Sequence, residues 1–136
     1  MDYQKLIEHR NRTNLFSQYV GIEITDIKEG YAETKLITRK EHLNPAGAVH
    51  GGVLYSLADI ATGSAAASYG YHIATVDSSF NFLRAGLNVT ELKAVAKERK
   101  HGKRISFFDV SVYDQDGNEL ASGSYTYTQL KTQIEL

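Results

Sequence analysis

Cysteine is absent from this 136-residue sequence, and so is a strong net charge. Without cysteine the chain has no disulfide framework, no thiol nucleophile and no cysteine-ligated zinc or iron–sulfur site. Its 15 basic and 16 acidic residues give a formal net charge of −1. Since such a chain has no overall positive field that attracts polyanions, we expect no nucleic-acid partner.

Long apolar runs are absent as well. No segment has the length needed to cross a membrane, and residues 1–5 lack the basic and apolar regions of a signal peptide. We therefore expect a cytoplasmic protein that makes no membrane contact. A chain of this length is expected to form one domain over residues 1–136, in which a weakly amphipathic helix makes residues 1–14 an N-terminal extension.

The signatures of several enzyme classes are also missing. No Gly-x-Ser-x-Gly nucleophile elbow occurs, because Ser64 and Ser68 lie in an alanine-rich predicted helix with no strained turn before them. No glycine cluster follows a strand with the spacing of a phosphate-binding loop or a dinucleotide fingerprint. The sequence therefore argues against α/β-hydrolases, P-loop enzymes and dinucleotide-dependent enzymes.

What the sequence does contain is a loop that leads directly into a long predicted helix. Pro45 and Gly47 interrupt regular structure before this helix, and we predict that it begins near Gly51 and ends at Tyr69-Gly70. Apolar residues recur along it at helical spacing. They are Leu54, Leu57, Ala58, Ala61 and Ala65.

The start of this helix and one aspartate within it are candidates for chemistry. A helix that opens on Gly51 and Gly52 exposes unpaired backbone N–H groups at the positive end of the helix dipole, where a developing oxyanion is stabilised. Asp59 falls on the side of the helix away from the apolar stripe. The plain alternative for Asp59 is a solvated surface carboxylate.

Strand periodicity dominates the rest of the chain. Val20, Ile22 and Ile24 alternate with polar residues, and after a turn at Glu29-Gly30 the alternation resumes over residues 32–38, which predicts a hairpin. Four later runs predict further strands joined by short turns, over residues 74–82, 92–96, 108–112 and 121–127. A long helix packed against about six antiparallel strands is an α+β fold.

The first of these later strands carries a row of polar residues on one face. Thr75, Asp77, Ser79 and Asn81 alternate with their neighbours along residues 74–82. Such a row is typical of a solvated sheet edge or of an interface with another subunit.

A motif that spans the loop and the helix resembles a known family. The pattern His-x-Asn-x-x-Gly-x-x-His-Gly-Gly, followed by Leu-Ala-Asp in the helix, resembles the hotdog-fold acyl-CoA thioesterases of the phenylacetate-pathway (PaaI-like) group. The resemblance continues through residues 74–77 and 81–84. Every motif position is filled, by His42, Asn44, Gly47, His50, Gly51, Gly52, Leu57, Ala58 and Asp59.

The resemblance implies a fold, an assembly and a reaction. The hotdog fold wraps an antiparallel sheet around one long helix, and its polar edge strand pairs with the same strand of a second subunit. A homodimer is therefore expected, and such dimers often pair into homotetramers. The implied reaction is hydrolysis of an acyl-CoA thioester to free acid and CoA, with coenzyme A as part of the substrate and no other cofactor.

The resemblance also implies roles for four residues. The Gly51 N–H would polarise the thioester carbonyl, and Asp59, reaching across the dimer interface, would act as general base or nucleophile. Asn44 would position the attacking water or the thioester, and Thr75 would orient that water. The plain alternatives stay open, because Asn44 before Pro45 also suits a turn and Thr75 also suits a strand.

The histidines of the motif raise the question of a metal site. His50, beside Gly52, is expected to shape the substrate-binding loop rather than to transfer protons. His42, His50 and Asp59 match neither an HExxH helix nor a typical zinc arrangement, so no metal is predicted. The stretch 114–118 has its glycine out of register with an EF-hand calcium loop and is predicted to be a hairpin turn.

Basic residues are concentrated at residues 97–104, at the tip of a predicted hairpin. Lys103 and Arg104 in this stretch, together with Arg84, could bind the phosphate groups of coenzyme A through charge-assisted hydrogen bonds. A solvated turn is the plain alternative.

Two aspects of function stay open in the sequence. A non-catalytic acyl-CoA-binding or sensing module is the alternative to a thioesterase, because some hotdog domains regulate rather than hydrolyse. The acyl group is not defined, because the same aromatic side chains suit an aryl or a fatty acyl pocket. These side chains are Tyr55, Tyr69, Tyr71, Phe80 and Phe82.

Overall fold

One long helix lies against one face of a six-stranded antiparallel sheet in the computed structural model, which describes residues 1–136. The strand order in the sheet is β1-β2-β4-β5-β6-β3. This arrangement confirms the predicted α+β fold. The elements are α1 Tyr3–Thr13, α2 Leu15–Val20, β1 Ile22–Lys28, β2 Tyr31–Ile37, a 3₁₀ turn Lys40–His42, α3 Gly51–Ala67, β3 Tyr71–Phe82, β4 Glu91–His101, β5 Ile105–Tyr113 and β6 Glu119–Gln133.

The central helix α3 begins where the sequence predicts, at Gly51, and is more enclosed than its apolar stripe suggests. The sheet curves around it, and α1 covers part of its outer side, where the Arg10 Nε donates a hydrogen bond to the Ser64 Oγ at 3.2 Å. Small side chains let these elements approach closely. From Ile60 to Ala67 every residue is buried. None of the helices is both long and apolar enough to span a membrane.

A short helix, α2, occupies residues that the sequence analysis assigned in part to a strand. The prediction that Val20 begins the first strand is wrong, because Leu15–Val20 is helical and β1 begins at Ile22. The Asn14 side chain caps α2 by accepting from the Ser17 N–H at 3.0 Å. Gly21, with a φ of 95°, ends it in the left-handed conformation that glycine adopts without strain.

The two edges of the sheet differ. At the β1 edge, the Asn11 side chain of α1 acts like a neighbouring strand: its Nδ2 donates to the Ile24 carbonyl oxygen and its Oδ1 accepts from the Ile24 N–H, each at 2.9 Å. At the other edge, β3 pairs with β6 alone, and its outer side has no partner within the chain. Asn11 therefore covers one position of the β1 edge, whereas the β3 edge has no such partner.

The edge strand β3 runs antiparallel to α3 and contains an irregularity that changes which residues face the helix. Its register with β6 shifts between Thr75 and Asp77. Because of this bulge, Thr75 faces α3, whereas Asp77 and Ser79 pair with residues on the outer face of the sheet. The predicted row of four polar residues on one face is therefore broken after Thr75.

Candidate active site

The Asp59 carboxylate lies in the seam between α3 and β3 and is partly buried. Its Oδ1 accepts a hydrogen bond from the Tyr127 hydroxyl at 2.7 Å and one from the Thr75 Oγ1 at 3.3 Å. The first contact comes from β6 and the second from β3. Asp59 is therefore held by two donors rather than fully solvated, and part of the residue stays exposed.

Tyr127 is the more buried of these two donors, with 2% of its surface exposed. Its hydroxyl also lies 2.8 Å from the Thr62 Oγ1 and 2.9 Å from the Asp59 carbonyl oxygen. Burial raises the pKa of Tyr127, and the negative charge of Asp59 raises it further. Tyr127 thus stays protonated and acts as a permanent hydrogen-bond donor to the carboxylate.

The other candidate group, the start of α3, is built by His50. The His50 Nδ1 accepts from the Gly52 N–H at 2.8 Å, and its carbonyl oxygen accepts from the Val53 N–H at 2.9 Å. The Gly51 N–H is not part of these capping bonds, so it is available to a substrate oxygen. The Gly52 N–H, by contrast, is already used. His50 therefore caps the start of α3, and its role in the substrate-binding loop stays a prediction.

Gly51 also lies directly beside an aromatic ring of β3. A Cβ added at Gly51 would stand 3.0 Å from the Phe82 Cε1. Only glycine lets the helix start and the ring approach this closely without one of them moving.

The loop before α3 uses its polar side chains to fold. The Asn44 Oδ1 accepts from the Ala46 and Ala48 N–H groups, each at 3.0 Å, which is the turn interpretation of this residue. The Asn44 Nδ2 makes no hydrogen bond within the chain, so it is free to donate to a ligand. His42 is buried; its Nδ1 accepts from the Arg39 N–H at 2.9 Å. No three potential metal-ligating side chains cluster in the structure.

Asp59 and Gly51 of one chain are too far apart to act on one carbonyl group. They are separated by eight residues of a continuous helix, which corresponds to about 12 Å along the helix axis. Along β3 they mark opposite ends, since Asp59 contacts Thr75 and Gly51 lies beside Phe82. A single chain therefore holds two half-sites.

The predicted phosphate-binding residues are divided in the same way. Lys103 and Arg104 lie at the tip of the β4–β5 hairpin, directly before Ile105. Ile105 pairs with Thr128 of β6, and Thr128 pairs with Ala74 of β3. The tip is therefore at the same end of the sheet as Thr75. Arg84 follows the other end of β3, about 25 Å away along the strands, and donates to the Asn118 Oδ1 at 3.1 Å. One chain cannot bring Arg84 and the tip to a single phosphate, so that part of the prediction is not met within one chain.

Three of the five aromatic side chains proposed for the acyl pocket lie together between the half-sites. The rings of Tyr55 and Phe80 have centroids 5.4 Å apart, and those of Phe80 and Phe82 are 5.1 Å apart, both pairs edge to face. Tyr69 and Tyr71 do not join them. Tyr69 stacks on His101 at the other end of the molecule, with a centroid distance of 3.6 Å.

Comparison with known proteins shows which family has this sequence and architecture. Residues 46–121, more than half of the chain, match the family described as the Thioesterase superfamily. The chain belongs to this superfamily. Its motif residues from Gly47 to Asp59 and the strand that carries Thr75 all lie within the matched range.

Individual relatives of this thioesterase point to the PaaI-like group. The acyl-coenzyme A thioesterase PaaI of Escherichia coli is 32% identical over 102 residues, which cover 75% of this chain and 73% of the relative. A solved structure of the E. coli PaaI protein from the phenylacetic acid degradation operon superposes with a TM-score of 0.91 at 26% identity, covering 97% of this chain and 96% of that one. A hypothetical thioesterase of Streptococcus pneumoniae, solved with coenzyme A, shares the fold at 24% identity and a TM-score of 0.83, covering 93% of this chain and 98% of that one. The predictions of a PaaI-like hotdog fold and of a thioester hydrolase are confirmed.

Tyr127 is the functional candidate that sequence reasoning missed. In the sequence it marks only the alternation of a strand, together with Tyr125. The one indication in the sequence was the hydroxyl of Tyr127, because a tyrosine in a buried strand needs a hydrogen-bond partner. Nothing in the local sequence identifies that partner as Asp59, which lies 68 residues away along the chain.

Substitution Tyr127→Phe tests this support of Asp59 in the thioesterase. We expect a loss of about 1–3 kcal/mol in the free energy of unfolding, because a donor to a partly buried carboxylate disappears. Urea denaturation measures this loss, and a thioester assay is expected to show reduced turnover. Tyr125→Phe is the control, since its hydroxyl donates only to the Tyr55 carbonyl oxygen at 3.2 Å. Equal losses of turnover in both variants would contradict a specific role for Tyr127.

Proposed function

We propose that this thioesterase hydrolyses acyl-CoA thioesters in two sites, each formed by Asp59 of one subunit and the Gly51 N–H of its partner. The observation that carries the proposal is the arrangement of the two half-sites at opposite ends of an open edge strand. The identified relative in E. coli is an acyl-coenzyme A thioesterase, which supports acyl-CoA as the substrate class.

A twofold pairing of β3 with its copy would complete both sites at once. Ser78 and Ser79 lie midway between Thr75, beside Asp59, and Phe82, beside Gly51. An antiparallel pair of β3 strands centred on these serines brings the Asp59 end of each chain opposite the Gly51 end of the other. The same symmetry brings Arg84 of one subunit towards the Lys103-Arg104 tip of the other.

The reaction in such a site follows from the groups present. The Gly51 N–H and the helix dipole stabilise the negative charge that develops on the thioester oxygen. Asp59 removes a proton from water, whose oxygen attacks the thioester carbon, or the carboxylate attacks this carbon itself. On the water route the carbon–sulfur bond then breaks, and Asp59 passes its proton to the departing thiolate. On the nucleophilic route the carboxylate displaces the thiolate and forms an acyl–aspartate anhydride; water then cleaves this anhydride, which restores Asp59 and supplies the proton for the thiolate. Both routes release a free acid and CoA. The free Asn44 amide group and the Thr75 hydroxyl are suited to hold the attacking water.

Subunit complementation tests whether the site is shared. Asp59→Asn and Gly51→Pro are each expected to lose at least about 99% of the activity, the second because proline has no amide hydrogen. When both chains are co-expressed, about half of the dimers are mixed, and each mixed dimer has one intact site of two, so about a quarter of wild-type activity should return. Thiol release from acyl-CoA measures the activity. No recovery in verified mixed dimers would refute a shared site.

Non-catalytic acyl-CoA binding is the alternative function. It predicts saturable binding of acyl-CoA without release of free thiol, whereas the proposed hydrolysis releases one thiol for each substrate molecule consumed. The activity as proposed needs no cofactor besides the coenzyme A of its substrate. Pairing of dimers into tetramers and a cytoplasmic location stay predictions from the sequence.

A further inference from the structure

A cavity of about 470 Å³ lies between three parts of the chain. They are α1, the start of β3 at His72 and the segment after β6 at Ile134. Three basic side chains line it, those of His9, Arg10 and His72, together with the apolar Leu15 and Ile134. No acidic side chain lines this cavity. Arg10 is thus the one permanently charged side chain in a wall that has no acidic group.

Arg10 is the group in this wall that most needs a partner. Its Nε donates to the buried Ser64 Oγ at 3.2 Å, but its terminal nitrogens make no hydrogen bond or ion pair within the chain. Burial lowers the pKa of Arg10, while the negative charge of Asp59 raises it. Arg10 is only partly buried, and its terminal nitrogens are not enclosed by the protein, so they can donate to a group that enters the cavity. The cavity is therefore suited to an anionic group.

Two elements connect this cavity to the Asp59 half-site. Ser64, which anchors Arg10, follows Asp59 by five residues on α3, or about 8 Å along the helix axis. His72 precedes Thr75 by three residues on β3, or about 10 Å along the strand. The cavity thus begins a short distance beyond the carboxylate, on the side of α3 that α1 covers.

We propose that the cavity receives the far end of the substrate's acyl group and that this end carries a carboxylate. The inference rests on the proposed function and names its substrate class, the CoA thioesters of short dicarboxylic acids. The phosphates of CoA are not the anion bound here, because the pantetheine arm separates them from the thioester and the Lys103-Arg104 tip is available to bind them. Ser64, whose hydroxyl holds Arg10, lies about 8 Å beyond Asp59 along the helix axis, so we expect an acyl chain of a few carbon atoms to be needed to reach Arg10.

A pair of substrates of equal chain length tests the proposal. Wild-type enzyme is expected to show a kcat/KM for adipoyl-CoA that is about 10- to 100-fold higher than for hexanoyl-CoA, because two charge-assisted hydrogen bonds are gained. Arg10→Gln should reduce this ratio to about one, and Arg10→Lys should keep part of it. Arg12→Gln, on the same helix but outside the cavity wall, is the matched control and should leave the ratio unchanged.

Binding provides a readout that does not depend on turnover. Calorimetry with the Asp59→Asn variant should show tighter binding of adipoyl-CoA than of hexanoyl-CoA, and addition of Arg10→Gln should abolish the difference. Wild-type hydrolysis of hexanoyl-CoA as fast as or faster than adipoyl-CoA would overturn the carboxylate proposal and leave the proposed function intact. Arg10-dependent binding without any thiol release would instead overturn the proposed function and support the anion site. If Arg10→Gln fails to fold, two other variants replace it. His72→Gln, at an exposed position of β3, should lower the kcat/KM ratio of adipoyl-CoA to hexanoyl-CoA, and Arg10→Lys should keep part of it.

Discussion

Asp59→Asn is expected to lower kcat for acyl-CoA hydrolysis by about 10²- to 10⁴-fold, the range in which loss of a general base falls. The asparagine oxygen can still accept from the Tyr127 and Thr75 hydroxyls, so the fold and the melting temperature should be close to those of the wild type. An amide, however, neither removes a proton from water nor attacks a thioester. Thiol release with a thiol-reactive dye measures the loss, and a chain without cysteine gives no background.

Asp26→Asn is a matched control for this substitution. Asp26 lies on β1, at the opposite edge of the sheet from β3, and its only ion pair is an exposed one with Lys28 at 3.5 Å. Such a pair contributes little to stability, so turnover and folding should both stay at the wild-type level. Undiminished hydrolysis in Asp59→Asn, with the same assay, would refute the role proposed for Asp59.

Gly51→Pro is expected to reduce kcat by about 10²- to 10³-fold, the effect of deleting one oxyanion donor. Proline removes the backbone hydrogen and is well tolerated at the first position of a helix. The preceding His50, with φ −61° and ψ 135°, already has the extended conformation that proline requires of its neighbour. The helix should therefore form as in the wild type, which circular dichroism and melting temperature would verify.

Gly51→Ala distinguishes the effect of losing the backbone N–H from the effect of adding a Cβ. Both variants place a Cβ 3.0 Å from the Phe82 Cε1, but alanine keeps the N–H. Phe82 is 58% exposed, so its ring can move aside. If the amide is the oxyanion donor, kcat of the proline variant should be lower than that of Gly51→Ala by about 10²- to 10³-fold. Similar kcat values for the two variants would mean that the steric change, and not the amide, explains any loss.

Local sequence rules were sufficient to predict α3 and the loop before it. The glycines at the helix start, the proline in the loop and the apolar spacing from Leu54 to Ala65 are all signals within a few residues of each other. The expectation that His50 shapes the loop comes from the same short segment and stays a prediction. The α2 helix was missed although Asn14 and Gly21 mark its ends, because the alternation of Val20, Ile22 and Ile24 gave a competing strand signal.

Contacts between distant parts of the chain could not be read in this way. The hydroxyl that holds Asp59 comes from Tyr127, and the guanidinium in the basic cavity comes from Arg10, each brought close only by tertiary packing. The bulge in β3 likewise depends on pairing with β6, and a strict period of two placed Thr75 on the wrong face. Residue types were thus predictable at the site, but their partners were not.

The pairing of Asn11 with Ile24 limits how copies of this protein can associate. A sheet with both borders unprotected can recruit further chains at each end and grow without limit into a fibre. Here the Asn11 side chain occupies both backbone groups of Ile24 on one border, which disfavours the addition of a strand there, and the other border has no such obstacle. Two molecules that pair through that second border leave only the obstructed ones exposed, so further growth by strand addition is disfavoured.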